Sequence, residues 1–310
     1  MLNPILAFSA TRRMRSFRTL LVVVAYLAVL LGIVLLTMGS LFRDAVTIYT
    51  LRSSVTCYNA LMIAQFALIV LIAPAMTSGA IAGERERQTL ELLLVTNTRS
   101  FRIVTGKAME SFAVLALLIV CGLPVMCLCL LTGGVSMGQI LIGELFLLAV
   151  AFAAVCVGVF ASSVARSSMT GGIISYLMIF GIAVLTALPL FADYPDKVTE
   201  IVYDSNKLAA LPRFEALRMI SPLLLFNPGY ALAALLQGQT NMLGSAVEYQ
   251  GRGRILCSFT LMDKAGGETV AIISCAAIVV LGLVLLLAAG LILRRTAIKT
   301  GGSKGKGSKE

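Results

Sequence analysis

TLLVVVAYLAVLLGIVLLT, residues 19–37, contains neither a charged residue nor a proline. Wound as an α-helix at 1.5 Å per residue it is roughly 28 Å long, close to the ~30 Å hydrocarbon core of a bilayer. It follows Arg12, Arg13, Arg15 and Arg18 and has no small-residue cleavage site after it. That pattern reads as a retained membrane anchor and not as a signal peptide. Five further runs of the same kind occupy residues 58–79, 111–132, 140–161, 171–190 and 270–293. The chain therefore reads as an all-α integral membrane protein with six transmembrane helices.

Composition agrees. Of 310 residues, 59% are hydrophobic and only 13% charged, and mean hydropathy is +0.96. So little polar surface cannot cover a water-soluble globule, and the solvent must be largely lipid. Histidine is absent, which removes imidazole acid/base catalysis and His metal ligation. The seven cysteines (Cys57, Cys121, Cys127, Cys129, Cys156, Cys257, Cys275) fall mostly in apolar runs and read as reduced, small core residues. Cys127 and Cys129 have no further Cys or His nearby to complete a metal site. The net charge of +10 comes from basic residues flanking the spans and at the termini. An anionic membrane leaflet explains it better than nucleic acid, for which no binding is expected.

Lys and Arg near the spans set orientation. Arginines precede the first span; Arg85, Arg87, Arg99, Arg102 and Lys107 lie between the second and third, Arg166 after the fourth, and Arg294, Arg295, Lys299, Lys304, Lys306 and Lys309 after the sixth. The opposite side offers only Arg43 and Arg52 in its short loops. Both termini are expected in the cytoplasm, with the chain multi-pass in the plasma membrane. The domain reading is an amphipathic helix over 1–18, spans one to five over 19–190, an external loop over 191–269, the sixth span over 270–293, and a basic flexible tail over 294–310. In the external loop, residues 220–236 are apolar but short and are interrupted by Pro222, Pro228 and Gly229. A seventh span there would place the basic tail outside, so a re-entrant or interfacial helical hairpin is expected.

Between the second and third spans lies GERERQTLELLLVTNTRS, residues 83–100. At 100° per residue, Glu84, Gln88 and Glu91 form one polar stripe, and Leu90, Leu93 and Leu94 form a roughly opposite apolar one. The spacing predicts an amphipathic helix over about 82–97 at the membrane boundary. Glu86 does not fit, because helical arithmetic puts its carboxylate among the leucines. It needs a partner, such as Arg12 or Arg13 or a group on another protein. At the amino terminus Asn3-Pro4 is a plausible helix start, after which Leu6, Ala10, Met14 and Phe17 share one face and Arg12, Arg15 and Arg18 lie largely on the other.

Glu84-x-Glu86-x-x-Thr89-Leu90-Glu91-x-Leu93-Leu94-x-Thr96 resembles the E-x-E-x-x-T-L-E-x-L-L-x-T signature of ABC-2 type permeases, matching every specified position; Asn97 stands where many relatives have proline. The basic amino-terminal helix, with Arg12, Arg13 and Arg15, resembles the elbow helix of that family, and Asn227-Pro228 resembles a recurrent N-P. The resemblance implies the permease of an ABC exporter: two permeases, either two copies or one copy and a homologue, on two cytoplasmic ATPase subunits. The helix over 82–97 would then be the coupling element. Glu84 and Glu91 would face the ATPase, Leu90, Leu93 and Leu94 would anchor to the bundle, and Glu86 would pair with an elbow arginine.

No G-x-x-x-x-G-K-[ST] loop occurs in the chain; Gly106-Lys107 lacks the preceding glycine and the following hydroxyl, and Gly305-Lys306 lies in the tail. ATP and Mg are therefore expected on the partner, with no enzyme activity, metal or cofactor on this chain. Within the spans, Asn59, Gln65, Glu144, Ser175 and Tyr176 are candidates for a pathway or for interhelical hydrogen bonds. Three other readings compete. An ion-coupled secondary transporter would show repeats and several buried ionisable groups, whereas Glu144 is the one carboxylate well inside a span. A lipid-acting membrane enzyme lacks its His and acid cluster. A non-transporting scaffold subunit would keep the same coupling helix.

Overall fold

Each of the six apolar runs lies largely within a long helix in a computed structural model of the chain. The structure describes residues 17–38, 48–88, 100–131, 133–191, 196–240 and 254–304. The six long helices are α1 (Phe17–Met38), α2 (Ile48–Thr77), α4 (Ser100–Leu131), α5 (Met137–Val164), α6 (Ser168–Ala187) and α12 (Gly267–Lys304). All six are long and apolar enough to cross a membrane, and no strand occurs among the described residues. Most extend beyond the apolar runs because the flanking polar residues continue the backbone ladder into the headgroup zone, where hydropathy no longer reports helix.

Local chemistry sets the boundaries. Gly133, at φ 82°, provides the left-handed turn that closes α4. Ser136 then opens α5 with a capping box: its Oγ accepts from Gln139 N at 3.3 Å, and Gln139 Oε1 accepts from Ser136 N at 2.8 Å. Ser167 and Thr170 open α6 in the same way. Pro74 and Pro124 lie within α2 and α4, whereas Pro189 lies in the 3₁₀ turn Leu188–Leu190 that ends α6.

Helix α5 is the hub, packed against α2, α4, α6 and α12. Apolar burial drives helix association weakly in lipid, so close approach over small side chains matters more. Ala151, Ala153, Ala154, Cys156, Gly158, Ala161 and Ser162 provide it, all buried. A Cβ on Gly158 would lie 1.9 Å from Thr77 Oγ1 of α2, and one on Gly282 of α12 would lie 3.1 Å from Ala153 Cα. The outward faces of α1 (Leu20, Leu21, Val24, Leu35) and α6 (Ile173, Leu177, Phe180, Leu185) remain exposed to lipid.

Between α6 and α12 the described residues are largely helical. Short helices α7 (Asp196–Tyr203), α8 (Ser205–Ala210) and α9 (Arg213–Met219) are followed by a 3₁₀ turn at Leu224–Phe226 and then by α10 (Pro228–Thr240) and α11 (Arg254–Ala265). Asp204 caps α8 by accepting from Asn206 N and Lys207 N. Hydrogen bonding from Lys207 to the Glu200 carboxylate holds the lysine above its usual range. Asn227 joins two elements: its Oδ1 accepts from Gly229 N at 2.9 Å and Tyr230 N at 3.1 Å, while its Nδ2 donates to Ala183 O of α6 at 3.0 Å. With 13 residues, α10 is roughly 20 Å long and too short to span. It buries Tyr230, Ala231, Ala234 and Leu235 and meets α12 where Gly238 and Gly267 touch.

Of the helix expected over about 82–97, the structure describes residues 82–88. Within them a short α3 (Ala82–Glu86) is followed by a turn in which Gln88 adopts φ 58°. A left-handed residue ends the i to i−4 ladder, so α3 does not run on. The elbow arginines Arg12, Arg13 and Arg15, and Thr89, Leu90, Glu91, Leu93 and Leu94, lie outside the described residues.

Candidate functional site: the clasp at the basic end

The segment after α2 is bound to the corner between α5 and α6 by a set of buried hydrogen bonds. Ser162, near the end of α5, is fully buried. Its Oγ accepts from Ile81 N and Ala82 N, both at 3.0 Å, and donates to Ser78 O at 2.9 Å. These bonds use two of the backbone N–H groups that the start of α3 leaves without an intrahelical acceptor. Arg85 continues the attachment, its guanidinium donating to Ala165 O and, at 3.1 Å, to Ser163 O at the C-terminal end of α5. A cation there also complements the partial negative charge of a helix C-terminus.

Glu86 completes the clasp at the next helix. Its Oε2 accepts from Ser168 N at 3.1 Å and Ser168 Oγ at 2.8 Å, at the first turn of α6. Among the described residues the carboxylate answers the positive end of a 20-residue helix, and the arginines expected to pair with it lie outside those residues. Glu84 meets α4. Its Oε1 lies 2.8 Å from Lys107 Nζ of α4, which is also 3.7 Å from Glu110. Gln88 is exposed at the end of the turn. One short segment therefore touches α4, α5 and α6 within a few residues of leaving α2.

The polar residues within the spans divide into two groups. Asn59 Oδ1 accepts from Thr240 Oγ1 at 3.0 Å, Ser175 Oγ donates to Gly171 O at 2.8 Å, and Tyr176 OH donates to Leu71 O of α2 at 2.8 Å. These three tie or brace helices, which is a packing role. Gln65 and Glu144 are buried at 0% and 5% exposure without such partners. Sequence reasoning missed Ser162, Arg85, Ser168 and Lys107. A serine ending an apolar run carries no signal of what will pack over it.

The model of the ABC-2 family transporter proteins matches residues 5–293. The chain belongs to the ABC-2 transporter family. The match covers all six spanning helices up to Leu293 of α12, the clasp and the region of the signature, so this ABC-2 permease is a multi-pass membrane protein of an ABC transporter. No curated protein matches the chain.

Proposed function

We propose that this ABC-2 permease is the membrane-spanning subunit of an ATP-driven exporter. It forms the pathway as a dimer, with a second copy or a homologous permease, and works with two cytoplasmic ATPase subunits that bind ATP and Mg. Under this reading the end carrying Arg85, Lys107, Arg166 and Arg294 is cytoplasmic, in the plasma membrane, as the distribution of basic residues favours. The chain itself is not an enzyme, since it has no phosphate-binding loop of its own.

One observation carries the coupling part of the proposal. The segment 78–86 is fixed at once to α5 through Ser162, to α6 through Glu86 and to α4 through Glu84. A displacement applied by a partner to residues just beyond Gln88 would reach those helices, and α2 by the chain itself, as a rigid-body movement. In this scheme Thr89, Leu90, Glu91, Leu93 and Leu94 form the surface that meets the ATPase, while Glu84 and Glu86 hold that surface to the bundle.

The test uses the permease co-purified with an ABC ATPase encoded beside it. A Glu86→Lys, Arg85→Ala variant is expected to keep the ATPase bound but to lose the permease-dependent, vanadate-sensitive hydrolysis. Unchanged stimulation by the variant would defeat the coupling role of the clasp.

A further inference from the structure

Glu144 sits about 10 Å from the Met137 end of α5, taking seven residues at 1.5 Å each, and is 5% exposed. Neither of its carboxylate oxygens makes a well-formed hydrogen bond among the described residues. The same holds for both amide atoms of Gln65 on α2 and for the hydroxyl of Tyr26 on α1, which are 0% and 2% exposed. These groups are neighbours: the Gln65 amide comes within interaction range of both the Glu144 carboxylate and the Tyr26 hydroxyl. A glycine in α4 makes their convergence possible, since a Cβ on Gly122 would lie 2.4 Å from Gln65 Nε2 and 3.0 Å from Tyr26 OH. Four helices therefore meet around five polar atoms that make no well-formed hydrogen bond among the described residues.

Interhelical packing does not account for this arrangement. Where polar residues brace helices in this protein they reach a partner, as Asn59 does with Thr240 and Tyr176 with Leu71. A buried carboxyl must either meet a compensating positive charge or take up a proton. No such charge is at hand among the described residues. The groups facing this level are Tyr26 on α1, Tyr58 on α2 and Cys121 on α4, with Cys275 of α12 further along α5 beside Leu148. From α6 comes only Tyr176, already bonded. Lys107 is bound to Glu84 at the basic end, roughly 22 Å from Gly122 along α4. From α3, Glu84 and Glu86 stay at that same end, and α10 contributes Gln239, bonded to Tyr58.

We propose that Glu144, Gln65 and Tyr26 form a monovalent-cation site inside the bundle, taking a proton or an alkali cation. The charge count selects a monovalent ion: one carboxylate, one amide oxygen and one phenol oxygen balance a single positive charge. A divalent cation would be left undercompensated and short of oxygens. The site is independent of the proposed ATPase partnership, because it is built wholly from this chain. Occupancy ties α1, α2 and α5 together at one point, so the bundle is more stable when the ion is bound.

The test uses the full-length chain in lipid nanodiscs. Dicyclohexylcarbodiimide adds across its C=N bond to a protonated carboxyl, which keeps all atoms in an acylurea that mass spectrometry locates. Thermal unfolding is followed in parallel from pH 5 to 9 in choline, sodium or potassium chloride. A proton site predicts labelling of Glu144 that falls as pH rises and is indifferent to the salt. An alkali site predicts labelling suppressed by sodium or potassium relative to choline, with a raised unfolding midpoint in that salt. In either case Glu144→Gln, the neutral isostere, is expected to remove the dependence of the midpoint, and Tyr26→Phe to weaken it. If Glu144→Gln does not fold, the wild-type labelling and Tyr26→Phe decide. Midpoints of wild type and variants that respond identically to pH and salt, or wild-type labelling and midpoint both indifferent to them, would overturn the proposal.

Discussion

Ser162→Ala removes one oxygen and three hydrogen bonds. Ile81 N and Ala82 N each lose their acceptor, and Ser78 O loses a donor. Ile81, Ala82 and Ser162 are all fully buried, so no solvent stands ready to replace the hydroxyl. An orphaned buried polar group costs about 1–3 kcal/mol, and part of this is recovered as the turn relaxes, giving a net cost of about 3 kcal/mol. That loss falls on local opening of the segment, not on the bundle, because the neighbouring helices keep their own ladders. Hydrogen exchange of a peptide covering 78–88, read by mass spectrometry, should accelerate by about 100-fold, at tenfold per 1.4 kcal/mol. Peptides from the middle of α4 should exchange as before. Acceleration of less than about threefold, a change of well under 1 kcal/mol, would show that Ser162 does not hold the clasp.

Three other outcomes follow from the same geometry. Glu86→Ala exposes the first turn of α6 and should speed exchange around Ser168 to Gly171, with Glu86→Gln intermediate because it keeps an acceptor but loses the charge facing the helix end. Gly158→Ala drives a Cβ to 1.9 Å from Thr77 Oγ1; overpacking of this kind costs about 1–3 kcal/mol and should lower the unfolding midpoint, with Thr77→Ala restoring part of it. For topology, single cysteines placed at Asp193, Gly251 and Lys304 should react with an impermeant thiol reagent at the first two positions and not at the third in intact cells; external labelling at 304 would reverse the orientation.

The spans were legible because a run of about 20 apolar residues has one stable home, a helix in lipid. Their lengths were not. Ile48–Ser54 and Ser100–Glu110 are helical but carry polar residues, and hydropathy measures contact with lipid, not the backbone ladder. Glu86 was visible as a misfit, since a carboxylate among leucines must find compensation. Its partner was not visible, because Ser168 lies 82 positions away in the chain and matters only through where α6 begins. Gln88 was hidden for a different reason: a left-handed backbone at a non-glycine residue leaves no mark in composition or periodicity. Asn59, Ser175 and Tyr176 were readable as polar residues in apolar runs, but their assignment to packing needed the hydrogen-bond partner each one meets. Glu144 and Gln65 could be singled out as costly; only the close approach at Gly122 joined Gln65 to Tyr26.

The central claim, that this permease works as a pair on separate ATPases, is tested most directly by native mass spectrometry of the tagged full-length chain released from its own membrane. The account predicts a complex of two permease chains, or one with a homologous permease, and two chains bearing a G-x-x-x-x-G-K-[ST] loop. A single permease chain released without any nucleotide-binding partner would contradict it.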